Sequence, residues 1–78
     1  MSLDYINKLL AALPSYMEIT IRFRMGDEER EHRLMTRDMP GDDRRLTNLT
    51  SGTEWFLPLS NSLEIISVVI PPMTVVLV

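Results

Sequence analysis

The chain has 78 residues, no cysteine, one histidine and a formal net charge of −3 at pH 7. This length suits one domain with a single small core, so we predict one domain over residues 1–78. The lack of cysteine excludes disulfides and zinc–thiolate sites, and a single histidine, His32, disfavours a transition-metal site. We therefore expect no metal and no cofactor, and the net negative charge argues against general binding to nucleic-acid phosphates.

The sequence shows no secretory signal pattern and no apolar run of membrane-spanning length. Pro71 and Pro72 interrupt the C-terminal apolar stretch, which leaves segments far shorter than the roughly 20 residues of a spanning helix. We therefore expect a cytoplasmic protein with no membrane insertion.

The first predicted element is a short amphipathic helix. Ser2 is a suitable N-cap and Pro14 ends the helical pattern. Between them, the apolar face consists of Leu3, Ile6, Leu9, Leu10 and Leu13. About three turns of helix are too short to be stable alone in water, so we expect this helix to lie on a sheet.

A β-hairpin is predicted next. Residues 17–25 alternate strictly between apolar and polar side chains, which predicts a strand with one buried and one wet face and places Met17 and Met25 in the core. Gly26 permits the positive φ of a tight turn, and the return strand is expected over residues 29–36.

The remaining chain predicts a loop over residues 38–43 and further strands over residues 44–50, 53–59, 63–70 and 73–78. Trp55 and Phe56 point to opposite faces of one strand, so only one can enter the core, and we expect Trp55 to pack against the helix. The order of elements predicts a mainly β (α+β) fold. We expect a small antiparallel, partly open SH3/Sm-like barrel of five to six strands with one N-terminal helix.

A strand, a tight 3₁₀-like turn and another strand are predicted in the run Phe56-Leu57-Pro58-Leu59-Ser60-Asn61-Ser62-Leu63-Glu64-Ile65-Ile66-Ser67-Val68. With the preceding helix and long hairpin, this layout resembles the Sm-like and SH3-like small barrels. Over residues 3–70 it is most similar to the Rof family of bacterial Rho-binding antiterminators. Pro58 and Ser60 depart from the pattern, since such barrels often carry a charge there. The resemblance implies binding of a protein through an acidic surface, or of RNA as in Sm proteins, and not catalysis.

Charge is concentrated between Arg22 and Arg45, which contain fourteen of the nineteen charged residues. One interpretation is a solvated hairpin kept soluble by mixed charges, whose surface ion pairs contribute about 0–1 kcal/mol each. The other is an acidic protrusion that meets a basic partner. The acidic candidates for partner binding are Asp27, Glu28, Glu29 and Glu31.

A set of arginines forms a second candidate surface, because alternation places several of them on one wet face. The candidates are Arg22, Arg24, Arg33, Arg44 and Arg45. Guanidinium groups suit phosphate or carboxylate. However, neighbouring glutamates can neutralise them across strands, and no aromatic side chain is interleaved to stack a base. We therefore expect a protein partner and consider nucleic acid possible but less favoured.

The C-terminal stretch carries no charge after Glu64. An apolar last strand needs cover, which gives a second hypothesis: a structural or assembly subunit that forms a homo-oligomer, expected to be a dimer, through its C-terminal strand. The residues concerned are Met73, Val75, Val76, Leu77 and Val78. Catalysis is not expected, because the sequence has no nucleophile elbow or phosphate loop and His32 is expected among exposed, charged neighbours.

Overall fold

The computed structural model describes residues 2–38 and 44–76. It contains one helix and six strands, which are α1 (Leu3–Ala11), β1 (Glu18–Met25), β2 (Glu28–Asp38), β3 (Arg44–Asn48), β4 (Glu54–Phe56), β5 (Glu64–Ile70) and β6 (Met73–Val76). Residues 39–43 of the predicted loop, together with Leu77 and Val78 of the predicted last strand, lie outside the described residues.

The strands form one antiparallel sheet in the order β4-β3-β2-β1-β5-β6. β4 and β6 are its two edges, and the sheet is not closed. The mainly β (α+β) fold with one N-terminal helix is therefore confirmed. The open sheet is compatible with a small barrel-like fold.

Helix α1 begins where the sequence predicts and is tied to the sheet at two places. The Ser2 hydroxyl accepts a hydrogen bond from the Tyr5 backbone N–H at 3.3 Å, as an N-cap should. Ile6 and Leu10 are fully buried and belong to the same core cluster as the sheet residues. On the same helix, Asn7 Oδ1 accepts the backbone N–H of Leu59 at 2.8 Å, which fixes the β4–β5 connection against α1.

The core follows the alternation of β1, whose Ile19, Ile21 and Phe23 are buried. Met25 continues the pattern, but it is 51% exposed, so its predicted place in the core is wrong. The reason is position along the strand: Met25 pairs with Glu28 at the end of the hairpin, beyond the region that α1 and β5 cover. Gly26, at φ +61°, is the first residue of the two-residue turn there.

The start of β1 is fixed by one buried threonine on β2. The Thr36 hydroxyl donates to the Pro14 carbonyl at 2.7 Å and accepts the Met17 backbone N–H at 2.9 Å. Tyr16, between them, has φ +59° and donates its N–H to the Thr36 carbonyl at 2.7 Å. These bonds hold the chain in the sharp bend between α1 and β1.

A β-bulge separates two parts of the β1–β5 ladder. Arg22 pairs with Ser67, whereas Phe23 pairs with Ile65, so Ile66 is the extra residue. Ile65 and Ile66 are consecutive, yet both are buried. The bulge thus lets β5 bury two neighbouring side chains, of which Ile65 belongs to the core cluster.

Candidate functional site

The face of the sheet opposite the core cluster, called the open face here, carries most of the charge. Register places ten charged residues on it, and these are Glu18, Arg22, Arg24, Glu29, Glu31, Arg33, Arg37, Arg45, Glu54 and Glu64. The arginines predicted to share the wet face of the β1–β2 hairpin do lie together. The backbone of Arg44 pairs with Asp38, and its side chain is outside the described part.

The strongest cluster on the open face is centred on Glu29. Its carboxylate accepts from Arg22 Nη2 at 2.7 Å and from Arg24 Nη2 at 2.8 Å, and Arg24 also reaches Glu64 at 3.3 Å. These hydrogen bonds, first from Arg24 and then from Arg22, lower the pKa of Glu29 below its usual value. In turn, the hydrogen bond to Glu29 and the attraction of Glu64 raise the pKa of Arg24.

The other arginines of the open face are paired as well. Arg33 Nε lies 2.9 Å from Glu18 Oε1. The two oxygens of Glu54 form ion pairs with Arg45 Nη1 at 2.8 Å and with Arg37 Nη1 at 3.8 Å. Every open-face arginine of the described residues therefore lies within 4.0 Å of a carboxylate. A phosphate would have to displace these carboxylates, so the face is a mixed-charge surface with no free cation among the residues described.

The end of the β1–β2 hairpin is the most exposed part of the site. All of residues 25–31 are exposed. Glu28 is held by Arg30 at 2.7 Å, and Glu29 by the two arginines of β1. Asp27 and Glu31 make no ion pair within the described residues, although Glu31 stands opposite Arg22 in the register. The four acidic candidates thus divide into two internally neutralised and two available carboxylates.

The expectation that His32 lies exposed among charged neighbours in the hairpin is wrong. It pairs with Ile21 and shares its face, so its ring is half-buried and packs edge-on against Phe23 and Trp55 at centroid distances of 5.0 and 5.4 Å. Its Nδ1 is buried without a hydrogen-bond partner. The Trp55 ring lies edge-on to these two rings and packs against the core cluster, which includes Ile6 and Leu10 of α1. The sequence signal for this was Leu34, because residues two apart on a strand share a face and an apolar Leu34 therefore places His32 on the inward face of β2.

Two exposed apolar features lie at the edges of the sheet. On β4, Phe56 is 53% exposed, and the Arg45 guanidinium lies 5.2 Å from its ring centroid. On the other side, Val69 of β5 is 39% exposed and Val76 of β6 is 51% exposed. Among the predicted self-association residues, Met73 and Val75 pair through their backbones with Ile70 and Val68, and their side chains are not described.

An open pocket of about 310 Å³ lies beside β4. It is lined by Trp55, Phe56, Leu59, Ser60, Ser62 and Leu63. The Ser60 and Ser62 hydroxyls lie 2.9 Å apart, and the lining contains no base that could activate either of them. Over residues 2–38 and 44–76, no three histidine or acidic side chains are arranged to hold a metal ion. The helix of that same region is too short to cross a bilayer.

Comparison with known proteins finds no matching family model, no similar curated protein and no similar solved structure. The resemblance to Sm-like barrels and to the Rof family therefore stays a prediction.

Proposed function

We propose that the chain is a non-enzymatic, cytoplasmic protein-binding module with a regulatory role that contacts its partner through the end of the β1–β2 hairpin. The observation that most supports it is the continuous exposure of residues 25–31, a stretch that contains Met25 and the carboxylates of Asp27 and Glu31, which have no ion pair in the described part of the chain. Such carboxylates can accept charge-assisted hydrogen bonds without first losing an internal partner. The fitting partner surface is basic, with an apolar contact for the methionine.

This function agrees with the Rof-like layout, which implies protein binding through an acidic surface. Direct RNA binding by the arginines is less well supported. Their guanidinium groups already contact carboxylates in the described residues, and the exposed Phe56 ring on the same face, at the β4 edge, is already contacted by the Arg45 guanidinium.

The test is the double variant Asp27→Asn/Glu31→Gln, which removes the two available charges and leaves the pairs of Glu28 and Glu29 intact. Asp4→Lys is the matched control, because it changes the net charge by the same amount at an exposed position of α1. Affinity capture from an extract of the native cells should retain the same proteins with wild type and control and lose them with the double variant. Retention of an unchanged set by the double variant contradicts the proposal.

A second candidate, an assembly subunit, is supported by a different observation. β6 is an edge strand whose residues 73–76 carry no charge, and Val76 is exposed on it. Edge strands of this kind tend to pair with another strand. We infer that the chain forms a homo-oligomer through β6. Static light scattering tests this directly: a particle heavier than the 9.0 kDa chain supports it, and a monomer at every concentration excludes it.

A further inference from the structure

We propose that two copies of the chain pair through β6 in one register, antiparallel and related by a two-fold axis at Val75. This deepens the self-association proposed above and rests on it. The occupant of the free edge is a second copy of the chain, and the reasons lie in the backbone geometry of β6 and in its lack of charge.

The direction of the backbone groups of β6 follows from its connection to β5. The loop Pro71-Pro72 has two residues, and Ile70 and Met73 stand directly opposite each other. In such a hairpin the pair that closes the loop exchanges hydrogen bonds, and these pairs alternate along the ladder. The N–H and C=O groups of Met73 and Val75 therefore point to β5, whereas those of Thr74 and Val76 point away from the sheet.

Only certain registers can use these outward groups. Centring two antiparallel β6 strands on Val75 sets Thr74 of each copy opposite Val76 of the other, so both pairs exchange two N–H···O bonds. Centring them on Thr74 sets Val76 against Pro72, which has no N–H to donate, and centring them on Val76 sets Thr74 against residue 78, outside the described β6. Identical antiparallel strands are related by a two-fold axis, so the interface is self-complementary and closes at two copies.

The two edges of the sheet differ in how well they exclude a second strand. β4 has three residues, begins with the charged Glu54 and is followed closely by Pro58, all of which discourage pairing. β6 is one residue longer and carries no charge within residues 73–76, and its neighbouring prolines, Pro71 and Pro72, lie in the loop to β5. Val69 and Val76 lie exposed on the open face of β5 and β6, and a neighbouring strand would cover the outer of the two. The charged hairpin belongs to β1 and β2, so like charges of the two copies do not meet at the contact.

The pairing also determines how the dimer presents its hairpins. The β1–β2 hairpin ends beside Glu64 at the start of β5, at the end of the sheet opposite the Pro71-Pro72 loop. A two-fold axis perpendicular to the sheet reverses the strand direction in the second copy. The two hairpins therefore point in opposite directions, and one dimer can join two partner molecules.

The absence of cysteine makes the register measurable by cross-linking. In the proposed dimer, residue 75 faces its own copy across a non-hydrogen-bonded pair with Cα atoms about 4.5 Å apart, which suits a disulfide. The Cα atoms of the two copies of residue 74 lie diagonally across the contact, about 7–8 Å apart, which is too far for a disulfide. Under mild oxidation Val75→Cys should form a covalent dimer on a non-reducing gel, and Thr74→Cys, the matched control, should stay a monomer.

If Val75→Cys fails to fold, judged by circular dichroism, Thr74→Cys mixed with Val76→Cys replaces it. These positions face each other at about 5.5 Å, so the mixture should yield a disulfide that neither variant yields alone. Cross-linking of Thr74→Cys alone, or none in this mixture, overturns the register.

Two single lysine variants distinguish pairing through β6 from self-association by another surface. Val76→Lys should reduce the particle mass measured by light scattering to that of one chain, whereas Phe56→Lys, equally exposed on the same face at the opposite edge, should leave a dimer. A wild-type chain that is monomeric throughout overturns both the self-association and the pairing. A wild-type dimer that survives Val76→Lys overturns the β6 pairing and leaves self-association standing.

Discussion

Arg24 and Glu29 stand directly opposite each other on the β1–β2 ladder, and Nη2 of the arginine lies 2.8 Å from Oε1 of the glutamate. The other oxygen of the same carboxylate receives Arg22 at 2.7 Å. One glutamate thus compensates two guanidinium groups at the centre of the open face. This arrangement makes the face a mixed-charge surface instead of a cationic one, and it leaves the hairpin end as the acidic feature.

The Glu29 cluster predicts a dependence of stability on acidity. The arginines lower the pKa of Glu29 in the folded chain, so this carboxylate stabilises the fold above its ordinary pKa of 4.5. That contribution is lost as the pH falls from 4.5 through the lower folded pKa. The Tm of the wild type should therefore fall over this pH window, and the Tm of Glu29→Gln should fall less. Glu31→Gln, which removes a carboxylate with no ion pair in the described chain, should follow the wild-type slope. Parallel curves for all three proteins contradict the assignment.

Charge compensation also predicts weak binding to nucleic acid. Wild type should not bind a fluorescent single-stranded RNA in an anisotropy titration at low salt. The variant Glu18→Gln/Glu29→Gln releases Arg22 and Arg33 and leaves Arg24 with Glu64 alone, so it should bind, with an affinity that falls steeply as salt increases. Salt-sensitive binding by wild type, unchanged in the variant, would indicate that the arginines already contact RNA.

The buried Thr36 hydroxyl predicts a specific loss of stability. Thr36→Val keeps the side-chain shape but leaves the Pro14 carbonyl and the Met17 N–H without their partner. We expect a loss of about 1–3 kcal/mol in the free energy of unfolding by urea. Thr20→Val, on the open face of β1, is the control and should change this free energy by less than about 0.5 kcal/mol. Equal effects at both positions contradict the proposed bridge.

The ring of His32 predicts a stabilising substitution. His32→Phe keeps the edge-on packing on Phe23 and Trp55 and removes a buried Nδ1 that has no partner. The free energy of unfolding should rise by about 1 kcal/mol, whereas His32→Ala should lower it because both ring contacts are lost. If His32→Phe is as damaging as His32→Ala, the nitrogen makes a bond that the fold needs.

The sequence predicts the elements of this fold better than it predicts their limits and contacts. The apolar alternation of β1 and the apolar face of α1 determine which side chains face the core, because each periodicity is local. Alternation does not determine how far the core extends along a strand, and for that reason Met25 and His32 were misplaced. Where the core ends depends on what covers the sheet, and α1 and β5 are distant in sequence.

For the candidate site, too, the sequence predicts the kind of interaction but not the residues that make it. Neutralisation of the arginines by glutamates across strands followed from their alternation, but the partners did not. Arg24 contacts Glu64, forty residues away, only because β5 lies beside β1 in the sheet. Likewise, the neutralisation of Glu29 but not of Glu31 depends on which carboxylate the Arg22 side chain reaches, and no pattern in the sequence encodes that choice.

Hydrogen exchange of individual backbone amides, measured by NMR over a range of protein concentrations, tests most directly whether β6 is the paired edge and the hairpin end is the free surface. We predict that the amides of Thr74 and Val76, which point away from β5, become protected as the concentration rises. Those of Gly26 and Asp27 in the hairpin turn should exchange rapidly throughout. Rapid exchange at Thr74 and Val76 at every concentration, or protection that appears at the hairpin turn instead, contradicts the account.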